Sequence, residues 1–131
     1  MSQIRPFLTF KGQAEEAMNY YTAKFSNTEI TSLQRFEAGM PGDVGKVMGG
    51  FLSLKGQEFQ FLDMAAGNEV PDFSWAQSFY VECRTQAEFA EFLSLADDGG
   101  HIMMHQAPFM NFQTVAWVTD KYGVTWQPVL A

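Results

Sequence analysis

The chain has 131 residues, with 15 Asp or Glu against 8 Lys or Arg, and a formal net charge of −7. This length suits one domain, and the shortage of cations argues against nucleic acid as a partner. No apolar run of about 18 residues is present, so we expect no membrane span. A lone Cys83 and the absence of a secretory signal pattern indicate a cytoplasmic protein.

The aromatic content is high for so short a chain. The sequence contains 13 Phe, 4 Tyr and 3 Trp, together with 8 Met. A small domain has difficulty burying so many large apolar side chains. We therefore expect a second subunit to cover some of them, or a pocket to use them, and we predict a homodimer.

The first half of the chain predicts one helix among four strands. The predicted strands cover 6–10, 29–36, 47–54 and 58–63. The apolar residues of the helix recur at the spacing of one helical face: Ala14, Met18, Tyr21 and Phe25. A Gly/Pro loop follows over 37–45, and Lys55-Gly56-Gln57 supplies a tight hairpin turn.

The second half repeats this order after a connector over 64–76. Strands are predicted over 78–83, 101–104, 115–119 and 124–129. A helix is predicted over 86–96, with Phe89, Leu93 and Ala96 on one face, and DDGG (97–100) ends it.

One phrase occurs at the start of both predicted helices. Residues 12–17 read GQAEEA and residues 85–90 read TQAEFA. The same order of strand, turn, phrase and helix indicates an internal duplication into two βαβββ modules, about 1–66 and 76–131. One helix covers only one face of a four-stranded sheet, so the other face is expected to meet the other half or its counterpart in a partner chain.

Paired βαβββ modules resemble the vicinal oxygen chelate superfamily, which includes glyoxalase I, bleomycin-resistance proteins and extradiol dioxygenases. The segments PFLTFKGQAEEAMNYYTAKF, GQEFQFLD and AWVTDKYGVTWQ resemble its PhnB-like branch, often labelled demethylubiquinone methyltransferase-like. The resemblance covers nearly the whole chain, and its most specific part is W-V-x-D-x-x-G-V-x-W-Q. It implies an α+β fold with mainly antiparallel, curved sheets in a single domain.

The methyltransferase label meets a difficulty in the sequence. Methyl transfer from S-adenosylmethionine usually uses a Gly-rich loop after a strand of a parallel, doubly wound sheet. The Gly pairs of this chain are 49–50 and 99–100, and neither makes a G-x-G pattern. We therefore expect no S-adenosylmethionine-dependent methyl transfer.

The resemblance also locates the positions where metal-dependent relatives carry His or Glu ligands. These positions are Pro6, Gln60 or Leu62, Ala76 or Gln77, and Gln127. None is His, Asp or Glu, and a neutral amide is a weak ligand for transition metals. The sequence thus predicts no metal and no cofactor.

Two histidines, His101 and His105, have H-x-x-x-H spacing, which brings two rings to one metal on a helix. Their segment reads as a strand followed by a loop, where residues four apart are separated by roughly 13 Å at about 3.3 Å per residue. We expect surface or loop imidazoles here.

Three further residues have both a chemical and a structural interpretation. Asp63 and Glu82 end strands in the two modules, where they could act as acid and base or only cap and solvate the strand ends. Cys83, next to Arg84, could be a reactive thiol or inert packing.

The remaining polar and aromatic residues suit a cleft for a small neutral or mixed-polarity molecule. The predicted ligand-binding residues are Phe7, Thr9, Gln60, Gln77, Phe109, Phe112 and Gln127. Strand alternation places Trp126 opposite Gln127, under a helix. The segment 105–114 is the predicted lid, or an element inserted into a partner. The alternative is that the glutamines only satisfy each other or water.

The leading functional prediction is metal-free binding of a small molecule, with no catalytic residue assigned. One alternative is a glyoxalase- or dioxygenase-like enzyme. Another is a dimeric structural protein with a vestigial cleft.

Overall fold

A computed structural model of the protein describes residues 2–131. The chain forms two compact units, the first ending at Pro71 and the second beginning at Asp72. Each contains one four-stranded sheet and one α-helix, which confirms the predicted α+β class with a repeated βαβββ order. Their action as a single domain stays a prediction. Within the described part of the chain, no helix has the length and apolar character needed to cross a membrane.

The first unit follows the predicted order closely. Its elements are β1 (Phe7–Phe10), α1 (Ala14–Lys24), β2 (Thr28–Arg35), β3 (Val47–Leu54) and β4 (Gln57–Asp63). The strands lie in the order β1-β4-β3-β2, with β1 parallel to β4 and the other pairs antiparallel. The parallel pair arises because α1 and two strands intervene between β1 and β4.

The hairpin between β3 and β4 uses two turn residues, one fewer than predicted. Leu54 pairs with Gln57, so only Lys55 and Gly56 remain in the turn. Their φ angles are 51° and 88°. Two consecutive positive φ values are typical of a type I′ turn, whose twist matches that of the strands.

The core of the first unit lies between α1 and one face of the sheet. The predicted helical face is buried: Ala14, Met18, Tyr21 and Phe25. The Tyr21 ring centroid lies 6.3 Å from that of Phe61 on β4. On β3, Gly50 lets the helix approach, because a Cβ at this position would lie 2.5 Å from the sulfur of Met18.

The second unit repeats the arrangement. Its elements are β5 (Ser78–Cys83), α2 (Gln86–Leu93), a short 3₁₀ helix (Ser94–Asp98), β6 (His101–Gln106), β7 (Thr114–Thr119) and β8 (Thr125–Leu130). The strands lie in the order β5-β8-β7-β6, and only β5 and β8 are parallel.

The second unit differs from the prediction by more than one residue at two boundaries. Helix α2 ends at Leu93 instead of Ala96, because the chain tightens into the 3₁₀ helix that buries Leu95. Strand β6 runs to Gln106 instead of Met104, because its pairing with β7 continues to Val115.

The predicted lid is consequently shorter, since His105 and Gln106 belong to β6 and Thr114 belongs to β7. Within the remaining loop, Phe109 and Phe112 exchange backbone hydrogen bonds of 3.1 and 2.9 Å.

The two copies of the repeated phrase begin their helices by different means. Gln13, at the start of α1, makes no capping hydrogen bond with its side chain. Asp63 caps this helix from β4 instead, accepting from the backbone N–H groups of Gly12 at 3.0 Å and Ala14 at 2.9 Å. Helix α2 is capped locally, because Thr85 Oγ1 accepts from the N–H of Glu88 at 3.1 Å.

Candidate functional site

Each sheet has one face against its helix and a second face that carries the predicted glutamines. In the first unit, Leu8 and Phe10 of β1 are buried, whereas Phe7, the first residue of the strand, is 55% exposed. Because side chains alternate along a strand, Phe7 and Thr9 lie on the face opposite α1. Gln60 lies on that face too, since its neighbours Phe59 and Phe61 are buried in the core.

Strand pairing sets Gln60 between two aromatic residues. Gln60 on β4 is opposite Phe7 on β1 and opposite Phe51 on β3. In an antiparallel pair such as Gln60 and Phe51, directly opposite residues have Cβ atoms about 4.5–5.5 Å apart. We call Phe7, Gln60 and Phe51 the first row. Thr9 pairs with Leu62, one step further along the same face.

The second unit contains the same arrangement. Gln127 on β8 is opposite Tyr80 on β5. The register of β7 and β8 sets Val118 opposite Trp126, and Trp117 therefore falls opposite Gln127. We call Tyr80, Gln127 and Trp117 the second row. A glutamine between two aromatic side chains thus occurs once in each unit.

The position of Gln127 depends on the packing of its neighbour Trp126. Trp126 is 1% exposed, and its ring lies 5.8 Å from that of Phe92 on α2. Gln127 consequently points to the other face, where its Nε2 donates to Ser78 Oγ at 2.6 Å. Strand alternation in β8 therefore separates a core residue from a candidate binding residue.

Asp120 organises the hairpin that leads into β8. Its Oδ1 accepts from the N–H groups of Tyr122 at 2.9 Å and Val124 at 3.1 Å, and its Oδ2 accepts from Trp126 Nε1 at 3.0 Å. Gly123 has a φ of 90° in this turn. The Asp, Gly and Trp of W-V-x-D-x-x-G-V-x-W-Q thus build the turn that orients Gln127. Sequence reasoning assigned no role to Asp120.

Other predicted residues lie outside the rows. Gln77 is exposed in the turn before β5, where its backbone N–H donates to Ser74 O at 3.4 Å. Phe109 and Phe112 lie on the loop that joins β6 to β7. This loop meets β7 at Thr114, three positions before Trp117 of the second row. The role of these residues in binding stays a prediction.

Sequence reasoning missed three aromatic residues of this arrangement. Phe51 and Tyr80 flank the two glutamines, and Trp75 is 62% exposed with its ring 6.2 Å from that of Trp117. The repeated phrase held a usable signal for Tyr80. Gln13 and Gln86 are equivalent positions of the two phrases. The same distance along the chain separates Phe7, in the strand before the first phrase, from Tyr80, in the strand before the second.

The two carboxylates and the thiol that could have a chemical role, those of Asp63, Glu82 and Cys83, differ in their surroundings. Both oxygens of the buried Asp63 accept backbone hydrogen bonds, the third coming from Val47 N–H at 3.0 Å. Asp63 therefore serves the fold, although it caps the start of α1 and not, as predicted, the end of its own strand. Glu82 is exposed, and Cys83 is buried with its sulfur 3.9 Å from the Val81 carbonyl oxygen.

The two histidines lie on opposite faces of β6. His101 pairs with Thr119 and His105 with Ala116, across an irregularity between Ile102 and Met104. The His105 ring lies 5.7 Å from that of Phe89, on the helix side. Among residues 2–131, no group of three or more His, Cys, Asp and Glu side chains could hold a metal ion. Metal independence itself stays a prediction.

A separate surface depression of about 460 Å³ lies in the first unit. It is lined by Lys11, Asn68, Glu69, Val70 and Pro71. None of the predicted ligand-binding residues lines it, so it is distinct from the first row.

Comparison with known proteins identifies relatives over the whole chain. Residues 2–129 match the family model described as 3-demethylubiquinone-9 3-methyltransferase. The PhnB protein of Bacillus cereus, which bears the same methyltransferase description, is 41% identical. The match covers 99% of this chain and 100% of that one, with a TM-score of 0.86. No curated protein sequence matches the chain.

More distant structures share the fold. A protein of Pseudomonas aeruginosa is 21% identical, with a TM-score of 0.84 over 99% of this chain and 98% of that one. The fosfomycin resistance protein FosX of Listeria monocytogenes is 10% identical, with a TM-score of 0.66 over 98% and 91%. At these identities the likeness concerns the fold alone.

Proposed function

Because the chain belongs to the 3-demethylubiquinone-9 3-methyltransferase family, the PhnB-like branch of the vicinal oxygen chelate superfamily, we propose that it binds a small organic molecule without a metal ion. The observation that carries this proposal is the repeated row, Phe7–Gln60–Phe51 and Tyr80–Gln127–Trp117. One such row could arise from sheet packing, but two at corresponding positions favour a common use.

The chemistry of a row suits a ligand of mixed polarity. Two flanking rings offer apolar surface, and the amide between them offers one donor group and one acceptor group. Binding sites are commonly lined by apolar and aromatic side chains with a few placed polar groups. A neutral ligand is favoured because neither row contains a charged side chain.

The donor set supports the metal-free part of the proposal. Gln60 and Gln127 occupy the central positions of the rows, where an imidazole or an ionised carboxylate would be required for firm binding of Zn²⁺, Fe²⁺ or Mn²⁺. Pro6, before β1, and Ala76, before β5, offer no side-chain ligand.

We do not extend the family's methyltransferase description to this chain. The turn between β1 and α1 contains a single glycine, Gly12, and its N–H already donates to Asp63. A buried carboxylate thus occupies the helix start where a Gly-rich loop would otherwise receive a cofactor. Both sheets are also mixed, with one parallel pair each, unlike the doubly wound parallel sheet of that chemistry.

We further propose a homodimer. Several large apolar side chains are more than half exposed in the single chain: Ile4, Phe7, Val44, Trp75, Tyr80 and Met110. A two-fold interface would cover part of this surface.

The test is a binding screen with matched glutamine variants. Wild type is screened against a panel of neutral metabolites by calorimetry, and each ligand found is titrated into Gln60→Ala and Gln127→Ala. The loss of one hydrogen bond in a dry site should weaken binding by about 1–3 kcal/mol, while the melting temperature stays close to wild type.

Gln57→Ala is the matched control. Gln57 is exposed at the start of β4, and its side chain donates only to a backbone carbonyl, that of Glu58. A ligand that binds Gln60→Ala and Gln127→Ala as tightly as it binds Gln57→Ala would refute the use of the rows.

A further inference from the structure

The hydrogen bonds of the second row restrict the chemistry of its ligand, given the proposed function. One hydrogen of Gln127 Nε2 is used by Ser78 Oγ at 2.6 Å. The amide oxygen Oε1 keeps both of its lone pairs, so the unused capacity of Gln127 is mainly that of an acceptor. A ligand that donates a hydrogen bond therefore complements this side chain best.

The polar groups beside the row are already engaged. Thr125, next to Ser78 in the sheet, is 1% exposed, and its Oγ1 lies 3.1 Å from Thr119 Oγ1. Thr119 Oγ1 in turn donates to the sulfur of Met103 at 3.0 Å. These hydroxyl groups satisfy one another, which leaves the Gln127 amide as the polar group at the centre of the row.

The ring surfaces around Gln127 favour a flat ligand. Tyr80 is 56% exposed on one side, and Trp117 lies on the other. Trp75 adds an exposed indole whose plane is tilted 45° from that of Trp117. Aromatic rings prefer offset-stacked or tilted contacts with other rings. A planar conjugated ring would therefore make the most favourable contacts with these side chains.

The charged side chains near the second row restrict the charge of the ligand. Glu82 lies two residues after Tyr80 on the same face of β5, and it is exposed. No Lys or Arg lies on the strands β5 to β8. An anionic ligand would therefore meet a carboxylate and no cation on these strands.

From these observations we infer that the second row binds a planar, uncharged, conjugated ring that carries a hydrogen-bond donor, such as a phenolic O–H or a lactam N–H. The ring lies against Tyr80, Trp117 and Trp75, and its donor reaches Gln127 Oε1.

The test uses three probes that share one ring system: 2-naphthol, 2-methoxynaphthalene and 2-naphthoate. Only the first combines a neutral ring with a donor. Binding is followed by the indole N–H resonances of ¹⁵N-labelled protein. Trp75 and Trp117 report on the row, and Trp126, whose Nε1 is bonded to Asp120, is the internal control.

We expect 2-naphthol to shift the resonances of Trp75 and Trp117 while that of Trp126 stays unchanged. Gln127→Ala should weaken the binding of 2-naphthol by about 5- to 150-fold, the equivalent of one lost hydrogen bond, and should leave 2-methoxynaphthalene unaffected. Trp75→Ala should weaken both neutral probes, and Gln57→Ala, outside both rows, should change neither.

Several results would overturn the inference. Equal affinity for 2-naphthol and 2-methoxynaphthalene would refute the requirement for a hydrogen-bond donor. Tighter binding of 2-naphthoate than of 2-naphthol would refute the requirement for an uncharged ligand. Shifts of Trp75 and Trp117 that depend on protein concentration alone would assign this face to a second copy of the chain.

The inference and the proposed function fail in different ways. If no naphthalene probe binds but a ligand of another shape depends on Gln127, the ring class is wrong and the proposed function stands. If neither the probes nor the metabolite panel bind, both are wrong.

Discussion

Replacement of Asp63 by Ala should destabilise the protein strongly, because one buried side chain serves three backbone donors. Its hydrogen bonds to Ala14 at 2.9 Å and Val47 at 3.0 Å are buried, and that to Gly12 at 3.0 Å is partly buried. Each buried N–H left without an acceptor costs about 1–3 kcal/mol. Two such groups predict a loss of about 2–6 kcal/mol in the free energy of unfolding, and we expect about 4.

The measurement is urea denaturation followed by far-UV circular dichroism, with the slope of the transition compared between variants. Asp63→Asn keeps one acceptor oxygen and should lose less than Asp63→Ala. Asp43→Ala is the matched control, because Asp43 is exposed and accepts one backbone hydrogen bond, from Ala66 at 2.9 Å. The free energy of unfolding of Asp43→Ala should stay within about 0.5 kcal/mol of the wild-type value.

Tryptophan fluorescence adds a second readout, since Trp75, Trp117 and Trp126 all belong to the second unit. A shift of the fluorescence transition in Asp63→Ala would show that damage at β4 is felt in the second unit. Equal losses for Asp63→Ala and Asp43→Ala would refute the reasoning, because burial and the two extra donors would then contribute nothing.

Four other outcomes are expected. Trp126→Ala should lower stability by about 3–5 kcal/mol, as for other buried large aromatics, while Gln127→Ala melts near wild type; the reverse order would contradict the assignment of faces in β8. Thr85→Ala should cost about 1 kcal/mol through loss of the α2 cap, measured by the same urea titration. Elemental analysis after dialysis should find no stoichiometric Zn, Fe, Mn or Ni, and about one per chain would disprove metal independence. Sedimentation at micromolar concentration should give twice the chain mass of 14.8 kDa, and a monomer would exclude the dimer.

The fold was accessible from the sequence because its signals are local. The apolar spacing from Ala14 to Phe25 predicted the buried face of α1, and Lys55-Gly56-Gln57 predicted the hairpin, of which Lys55 and Gly56 form the turn. Boundaries failed where distant pairing decides them. The pairing of Gln106 with Val115 extends β6, and the burial of Leu95 tightens the end of α2; neither partner can be identified from a local window.

The candidate site was only partly accessible for the same reason. Gln60 and Gln127 were found through the resemblance and Phe7 was predicted with them, whereas the pairing of each glutamine with its two flanking residues depends on register. Phe51 and Trp117 come to lie beside the glutamines only through antiparallel pairing. Gln77 was predicted by its sequence distance from the second helix, and it lies in the turn just before β5, which begins at Ser78 as predicted.

The different caps of the two helices also bear on the order in which the units form. The cap of α2 joins Thr85 to Glu88, three residues away, so it can close as soon as that turn forms. The cap of α1 joins Ala14 to Asp63, 49 residues away, and must wait until the intervening chain has closed a long loop. Contacts of large sequence separation slow folding. Two nearly identical phrases therefore begin helices that depend on the rest of the chain to different degrees, and α2 is the one able to nucleate early.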